Sequence, residues 1–591
     1  MWDTLLAKDD EGLLQSRMNE TCDGDYQNYI HNGGAYTREH FFGASPELKE
    51  LVSDLSDKDI MYLNRGGHDP YKVYAAYAEA MAHKGQPTVI LAKTVKGYGM
   101  GVGSGEGANN THSIKKLDLE SLKHFRDRFG IPIADDKLAD VPYYRPPEDS
   151  PEMVYMNKRR ASLGGSLPAR RADFDKLEIM PLSDFGKLLE GNGEKKVSTT
   201  MAFVRQLGML LKDKNIGERV VPIVPDEART FGMEGMFRQL GIYSSAGQKY
   251  VPQDHDQIMF YKEDKKGQIL EEGISEAGAM SAWMALATSY STNHFPMIPV
   301  YIYYSMFGFQ RIGDLAWAAG DMQARGFLIG ATSGRTTLNG EGLQHQDGHS
   351  HLLANTIPNC RTYDPAYAYE VVTIVQDGLR VMFEAQENCF YYLTTMNENY
   401  LQPAMPDNVE EGIIKGMYLF EEGDESELKV QLMGAGSILN EVREAAVILK
   451  EKYNVSADIW SLTSVNQLAR DGQAADRWNL LHPEQDEKVP YITEQLAGRQ
   501  GPVVVATDYV KTYTEQLRAY IPASYRVLGT DGFGRSDSRE QLRHFFEVNR
   551  YFVALSALKS LADEGKIDVS VVTQALVDFD LDPEKTNPLY C

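Results

Sequence analysis

The chain is poor in cysteine: only Cys22, Cys360, Cys389 and Cys591 occur in 591 residues, with no CxxC pair or clustered spacing. That excludes a disulfide framework and a cysteine-based zinc site, and it fits a reducing cytoplasm. There is no long hydrophobic run. The most apolar stretch, residues 295–309, is too short to span a bilayer and carries Pro296 and Pro299, so it reads as a buried strand and no membrane role is expected. Residues 1–30 lack the apolar core of a secretory signal, which makes the Asn-x-Ser/Thr matches at Asn19, Asn109 and Asn454 chance occurrences. Positive charge is also scarce: 60 Lys and Arg stand against 84 Asp and Glu, a net charge of −24 that repels phosphate backbones and argues against a nucleic-acid partner. No fixed-period repeat is present, so solenoids and propellers are set aside.

What is present is the composition of an ordinary globular protein, 42% hydrophobic and 24% charged, and too long for a single core. Apolar runs at 87–92, 219–224, 297–304, 326–330, 429–434, 458–462 and 502–508 read as strands separated by helical patterns. This alternation predicts α/β domains with parallel sheets covered on both faces. Asp69-Pro70 signals a helix start and Gly85 its stop. Residues 276–290 form a helix too apolar to face water, and residues 440–453 form another. Pro, Gly and charge interrupt the pattern between about 135 and 198 and again at 402–412. The expected division is therefore 1–175, 176–405 and 406–591. The first segment contains one convincing strand, too few for a parallel sheet, so its domain is expected to be incomplete.

Several motifs admit competing chemistry. The glycine-rich run from Gly97 to Gly107 fits neither the P-loop nor the dinucleotide spacing and reads better as a mobile lid, with His112 at its far end. Gly434-Ala435-Gly436-Ser437 lacks the third glycine of a nicotinamide fingerprint, since Leu439 stands in its place. Residues 339–351 (NGEGLQHQDGHSH) bring together His345, His349 and His351 with Glu341 and Asp347. Metal ligation and proton transfer both remain open there. Asp226 and Glu227 follow a buried strand, where open parallel sheets bind ligands. Glu276 opens the apolar helix, either as a helix-capping acid or, if buried, as a proton donor to a ring nitrogen.

The segments DEARTFGMEGMFRQLGIYS, KGQILEEGISEAGAM, YIYYSMFGFQRIGDLAWAAGD, SGRTTLNGEGLQHQDGHSH and GTDGFGRSDSRE resemble the homodimeric, thiamine-diphosphate-dependent pyruvate dehydrogenase component of bacterial complexes. The resemblance covers essentially the whole chain. It implies three parallel-sheet α/β domains of the thiamine-diphosphate-binding, transketolase-like fold, the first incomplete: a remnant of the diphosphate-binding domain, a pyrimidine-binding domain and a carboxyl-terminal domain. It also implies decarboxylation of pyruvate, reductive acetyl transfer to the lipoyl group of a dihydrolipoyl acetyltransferase, and a cytoplasmic homodimer. Glu276 then matches the acid that hydrogen-bonds the aminopyrimidine ring, and Phe307 the aromatic that stacks on it, with Tyr304 nearby. His345 and His112 match proton-managing histidines, Asp226 and Glu227 acids of the channel, Lys96 a basic residue at the loop base, and residues 246–262 a second loop over the entrance. One departure stands out. The family holds Mg2+ through a Gly-Asp-Gly motif and a later asparagine, and no Gly-Asp-Gly occurs in this chain. No metal ligand is therefore assigned, and the family's amino-terminal histidines and acyltransferase-contacting arm are not found either. The expectation is a chain that begins inside the first domain and is inactive alone. A split enzyme, a non-catalytic assembly subunit and transketolase-like sugar transfer are the alternatives.

Overall fold

The computed structural model describes residues 2–63, 66–101, 104–166, 171–226 and 228–591. The chain separates into two compact units, Met1–Gly165 and Ser166–Cys591.

The first unit is helical, and no strand occurs among its described residues. Its small core gathers Leu5, Leu14, Phe41, Phe42, Leu48, Val52 and Ile60. The helix expected from Asp69-Pro70 forms over Pro70–Ala82. The Asp69 carboxylate accepts from the Tyr71 and Lys72 amides, and Pro70 fills the first turn, where no amide is needed. None of its residues is buried, and Tyr71, Tyr74, Tyr77 and Met81 are exposed. The strand expected at 87–92 does not form. Those residues are exposed and unpaired, because a strand takes its hydrogen bonds from a neighbour and this unit offers none.

The second unit holds two large sheets, besides two small two-stranded ones. The first comprises β1 (Val220–Val224), β2 (Leu270–Glu271), β3 (Ile298–Tyr303), β4 (Phe327–Ala331), β5 (Cys360–Tyr363) and β6 (Phe390–Thr395), ordered β2-β1-β3-β4-β6-β5 and parallel throughout. Strands β1, β3, β4 and β6 are buried at every position, as expected where helices cover both faces. Trp283 of the Glu276–Ala287 helix is fully buried against this sheet and donates its indole N–H to the Phe327 carbonyl at 3.0 Å. Burial of such a side chain contributes about 2–3 kcal/mol, and the hydrogen bond satisfies its one polar atom.

The second sheet comprises β7 (Met417–Glu421), β8 (Lys429–Ala435), β9 (Ser456–Leu462), β10 (Val503–Ala506) and β11 (Tyr525–Leu528), ordered β7-β9-β8-β10-β11. Only the edge strand β7 runs antiparallel. The order reverses between β8 and β10, where a doubly wound sheet ordinarily opens a nucleotide crevice. Here that crevice is filled from the first sheet. Thr337 Oγ1 lies 2.7 Å from Ser437 Oγ, Gly436 N donates to the Asp364 carbonyl at 3.3 Å, and Asp508 after β10 accepts from the amides and hydroxyls of Thr336 and Thr337. The Gly434–Ser437 turn is thus a docking seat between the two sheets, which disposes of the nicotinamide reading.

Candidate functional site

The carboxyl ends of β1 to β4 converge on one polar and aromatic region. Tyr304 directly follows β3 and Phe307 closes the short helical turn after it. The Tyr304 ring lies 6.1 Å from Phe307 and 5.2 Å from His345, and Phe307 and His345 are 5.3 Å apart edge to face. His345 is partly exposed, while its Nδ1 is enclosed with no hydrogen-bond partner among the described residues.

Glu276 is the first residue of the Glu276–Ala287 helix, where its charge also favours the helix dipole. It is half-buried rather than sealed in, and it pairs with Arg311 at 2.5 Å. The Arg311 guanidinium in turn lies 4.2 Å over the Phe307 ring. Sequence reasoning missed Arg311, although its place four residues after Phe307 in a helical stretch is the signal for such a contact. Arg311 is therefore the link between the carboxylate and the aromatic cluster. Beside it, burial pushes the Tyr301 phenol up, with Glu276 and Glu272 adding to the effect, so that phenol stays neutral.

At the β1–β2 edge Asp226 is exposed, and Glu271 accepts from the Tyr261 hydroxyl at 3.2 Å. Burial, followed by the charges of Asp226 and Glu263, raises the Glu271 carboxyl above its usual range. Glu227 lies outside the described residues. The 246–262 segment, expected as an entrance loop, lines a pocket of about 460 Å3 with Tyr250, Asp254, Gln257 and Tyr261 facing Arg229. An ion pair between Arg229 and Asp254 tethers it.

Two expected residues belong to the helical unit. Lys96 Nζ and His112 Nδ1 are 3.0 Å apart, and both side chains are exposed. In the adjoining glycine-rich turn the Glu106 carboxylate accepts from the Gly99 and Gly101 amides at 3.2 and 3.0 Å and from Arg128 at 2.7 Å. A side-chain anion already holds the amides that a phosphate loop would offer.

The three histidines of 339–351 part company. His345 faces the aromatic cluster, His349 contacts Gln310, and His351 is fully buried with its ring 5.1 Å from Tyr513 and stacked on it. Metal ligation by this run is thereby overturned, and among the described residues no group of three His, Cys, Asp or Glu side chains could hold a metal. Flat aromatic walls, a carboxylate and an unpaired ring nitrogen suit a planar nitrogen heterocycle such as the pyrimidine of thiamine. The described residues do not suit a Mg2+-bound diphosphate.

Two consecutive parallel-sheet domains with a site at the strand carboxyl ends define a transketolase-like α/β enzyme. Solved transketolases share the fold. That of Leishmania mexicana aligns with a TM-score of 0.57 at 17% identity, over 84% of this chain and 65% of its own, and that of Campylobacter jejuni with 0.55 at 18%, over 83% and 66%. Residues 177–403 match the pyruvate dehydrogenase E1 component middle domain, and 416–549 the transketolase-like C-terminal domain. The pyruvate dehydrogenase E1 component of Pseudomonas aeruginosa is 63% identical over 100% of this chain and 67% of its own length, and that of Escherichia coli K12 is 58% identical over 99% and 66%. The chain belongs to the pyruvate dehydrogenase E1 component family, and it spans about two thirds of the length of these relatives.

Proposed function

We propose that this chain forms the pyrimidine-binding and carboxyl-terminal part of an oxidoreductase that decarboxylates pyruvate on thiamine diphosphate and passes the acetyl unit to the lipoyl group of a dihydrolipoyl acetyltransferase. The observation that carries the reading is the grouping of Tyr304, Phe307 and His345, with Arg311 linking Glu276 to it, in a chain of this family. Bound thiamine diphosphate supplies the electron sink that loss of CO2 from a 2-oxoacid requires. The chain's own residues do the rest. Glu276 hydrogen-bonds a ring nitrogen once Arg311 yields it, Phe307 and Tyr304 provide the stacking walls, and His345 holds or moves a proton beside the substrate. For His112 with Lys96, and for Asp226 with Glu227, we keep the roles that the family resemblance implies. Mg2+ and the diphosphate require ligands beyond the described residues.

A homodimer fits the Glu276–Ala287 helix. Its Ala277, Ser281 and Ala285 are exposed while Ala279, Met280 and Trp283 are buried, so an apolar helix presents a small-residue face that a second copy would cover. No helix among the described residues is long and apolar enough to cross a membrane, and a cytoplasmic complex is the setting we propose.

Calorimetry of thiamine diphosphate with Mg2+ tests the reading, using the chain alone and then mixed with the remaining third of the Pseudomonas relative. Binding and pyruvate decarboxylation are expected in the mixture, and Glu276→Gln is expected to lower turnover there by about 10²-fold or more. Binding without pyruvate turnover, or turnover of ketose phosphates in its place, would overturn the assignment.

A further inference from the structure

The site described above leaves Asp347 unused, although it is 1% exposed and lies two residues from His345. Its Oδ1 accepts the amides of His349 and Ser350, at 2.9 and 3.0 Å, and so opens the Ser350–Asn355 helix. Its Oδ2 accepts the hydroxyl of Ser305, the residue that directly follows Tyr304. Ser305 Oγ also lies 3.2 Å from the Tyr392 hydroxyl, which donates to Ser350 Oγ at 2.9 Å. Asp347, Ser305, Tyr392 and Ser350 thus gather in one buried polar cluster, in which Ser305 donates to Asp347 and Tyr392 to Ser350. The approach is so close that a Cβ at Gly330 of β4 would stand 2.6 Å from the Tyr392 oxygen and 3.1 Å from Ser305 Oγ.

Residues on either side of Asp347 are pinned elsewhere. Gln346 Oε1 accepts from the Arg535 amide at 2.6 Å, and the Gly348 carbonyl from the Val510 amide at 2.9 Å. Those two bonds tie the loop to the second sheet's loops. Asp347 alone of the three reaches the end of β3, which carries the aromatic pair. Asp347 and Ser305 are both buried, where a hydrogen bond is electrostatically stronger than in water.

We propose that Asp347 is a positioning residue of the site: by accepting the Ser305 hydroxyl it fixes His345 against Tyr304 and Phe307. The proposal rests on the reading of His345 as a site residue, but its test needs neither cofactor nor substrate. In the chain as it stands, histidine ring 1H–13C spectra are recorded and the His345 signal is assigned with His345→Gln. Ser305→Ala removes the hydroxyl, and Asp347→Asn keeps an acceptor for the helix amides while losing the charge. Both are expected to displace or broaden the His345 signal and to leave that of His112, in the other unit, in place. A role limited to capping the Ser350–Asn355 helix would lower the melting temperature of Asp347→Asn and leave the His345 signal of Ser305→Ala unmoved, and that result would overturn the proposal. Should either variant fail to fold, the other decides. An unchanged His345 signal in a variant that melts cooperatively counts against it, whatever pyruvate assays report.

Discussion

Arg543→Met is expected to destabilise the chain by about 1–3 kcal/mol, the cost of leaving the part-buried Glu398 carboxylate without its close cation. Arg543 is 6% exposed in the Arg539–Phe545 helix of the carboxyl-terminal domain, and it reaches across to Glu398, which follows β6 of the middle domain. Its second amino group lies 3.4 Å from Glu441, whose other oxygen accepts from the Arg550 amide and side chain at 2.9 and 3.0 Å. The net effect of Arg543 and Arg550 is to hold the Glu441 carboxyl below its usual range despite burial, the largest opposing influence. In the substituted chain Glu441 keeps Arg550, whereas Glu398 keeps only Arg539 at 4.0 Å. The loss therefore falls at the contact between the two sheets. Urea titration should show the carboxyl-terminal domain loosening first, and Glu398→Gln combined with Arg543→Met should recover part of the loss. Lysine should not substitute, since one ammonium cannot serve both carboxylates. A loss under about 1 kcal/mol would place this network among ion pairs that contribute little.

The same contact shows where sequence stopped being informative. Six of the seven apolar runs become strands, because Val, Ile and aromatic residues bounded by turn formers are a local signal. Residues 87–92 carry that signal equally well and stay unpaired, since a strand is completed by a neighbour that local sequence does not specify. The run FYYLTT forms β6 outside those seven, and its aromatic and β-branched residues are the composition strands favour. Tyr304, Phe307 and His345 are implied together by the family resemblance, and the structure brings them into one cluster. Their supports are not so implied. Arg311 is reached by a helical contact to Phe307, while Ser305 and Asp347 are 42 positions apart and join only when β3 and the 339–351 loop fold onto one another. The pairing that stitches the sheets together, Asp508 with Thr336 and Thr337, spans more than 170 positions. Only the folded backbone reveals such partners.

The second large effect is a dependence of stability on pH that comes from one buried pair. Burial pushes the Asp364 carboxyl from 3.8 up to about 8, against the Thr394 hydrogen bond and aided by the charges of Asp508, Glu370 and Asp347. Burial likewise pushes His351 from 6.5 down to about 4, with Asp347 opposing. The Thr394 hydroxyl donates to Asp364 Oδ1 at 2.7 Å and lies 2.9 Å from His351 Nε2, so that nitrogen carries the ring proton and Nδ1 is left bare and unpartnered. For Asp364 the folded state keeps its proton after the unfolded chain has lost it. Its contribution is complete below about pH 4 and declines until about pH 8, by roughly 1.4 kcal/mol per pH unit at most. For His351 the unfolded chain takes up a proton first, so its contribution is complete above about 6.5 and is lost as pH falls toward 4. Between pH 4 and 6.5 the two slopes oppose one another and cancel. Above 6.5 His351 no longer opposes Asp364, and stability measured by urea unfolding should fall up to pH 8. Asp364→Asn should remove that fall and uncover the loss below 6.5. His351→Gln should instead leave a single decline running from 4 to 8. If wild type and Asp364→Asn give parallel curves from pH 5 to 8, Asp364 does not carry a buried proton, and the contact between the sheets is held by Arg543 and Asp508 without it.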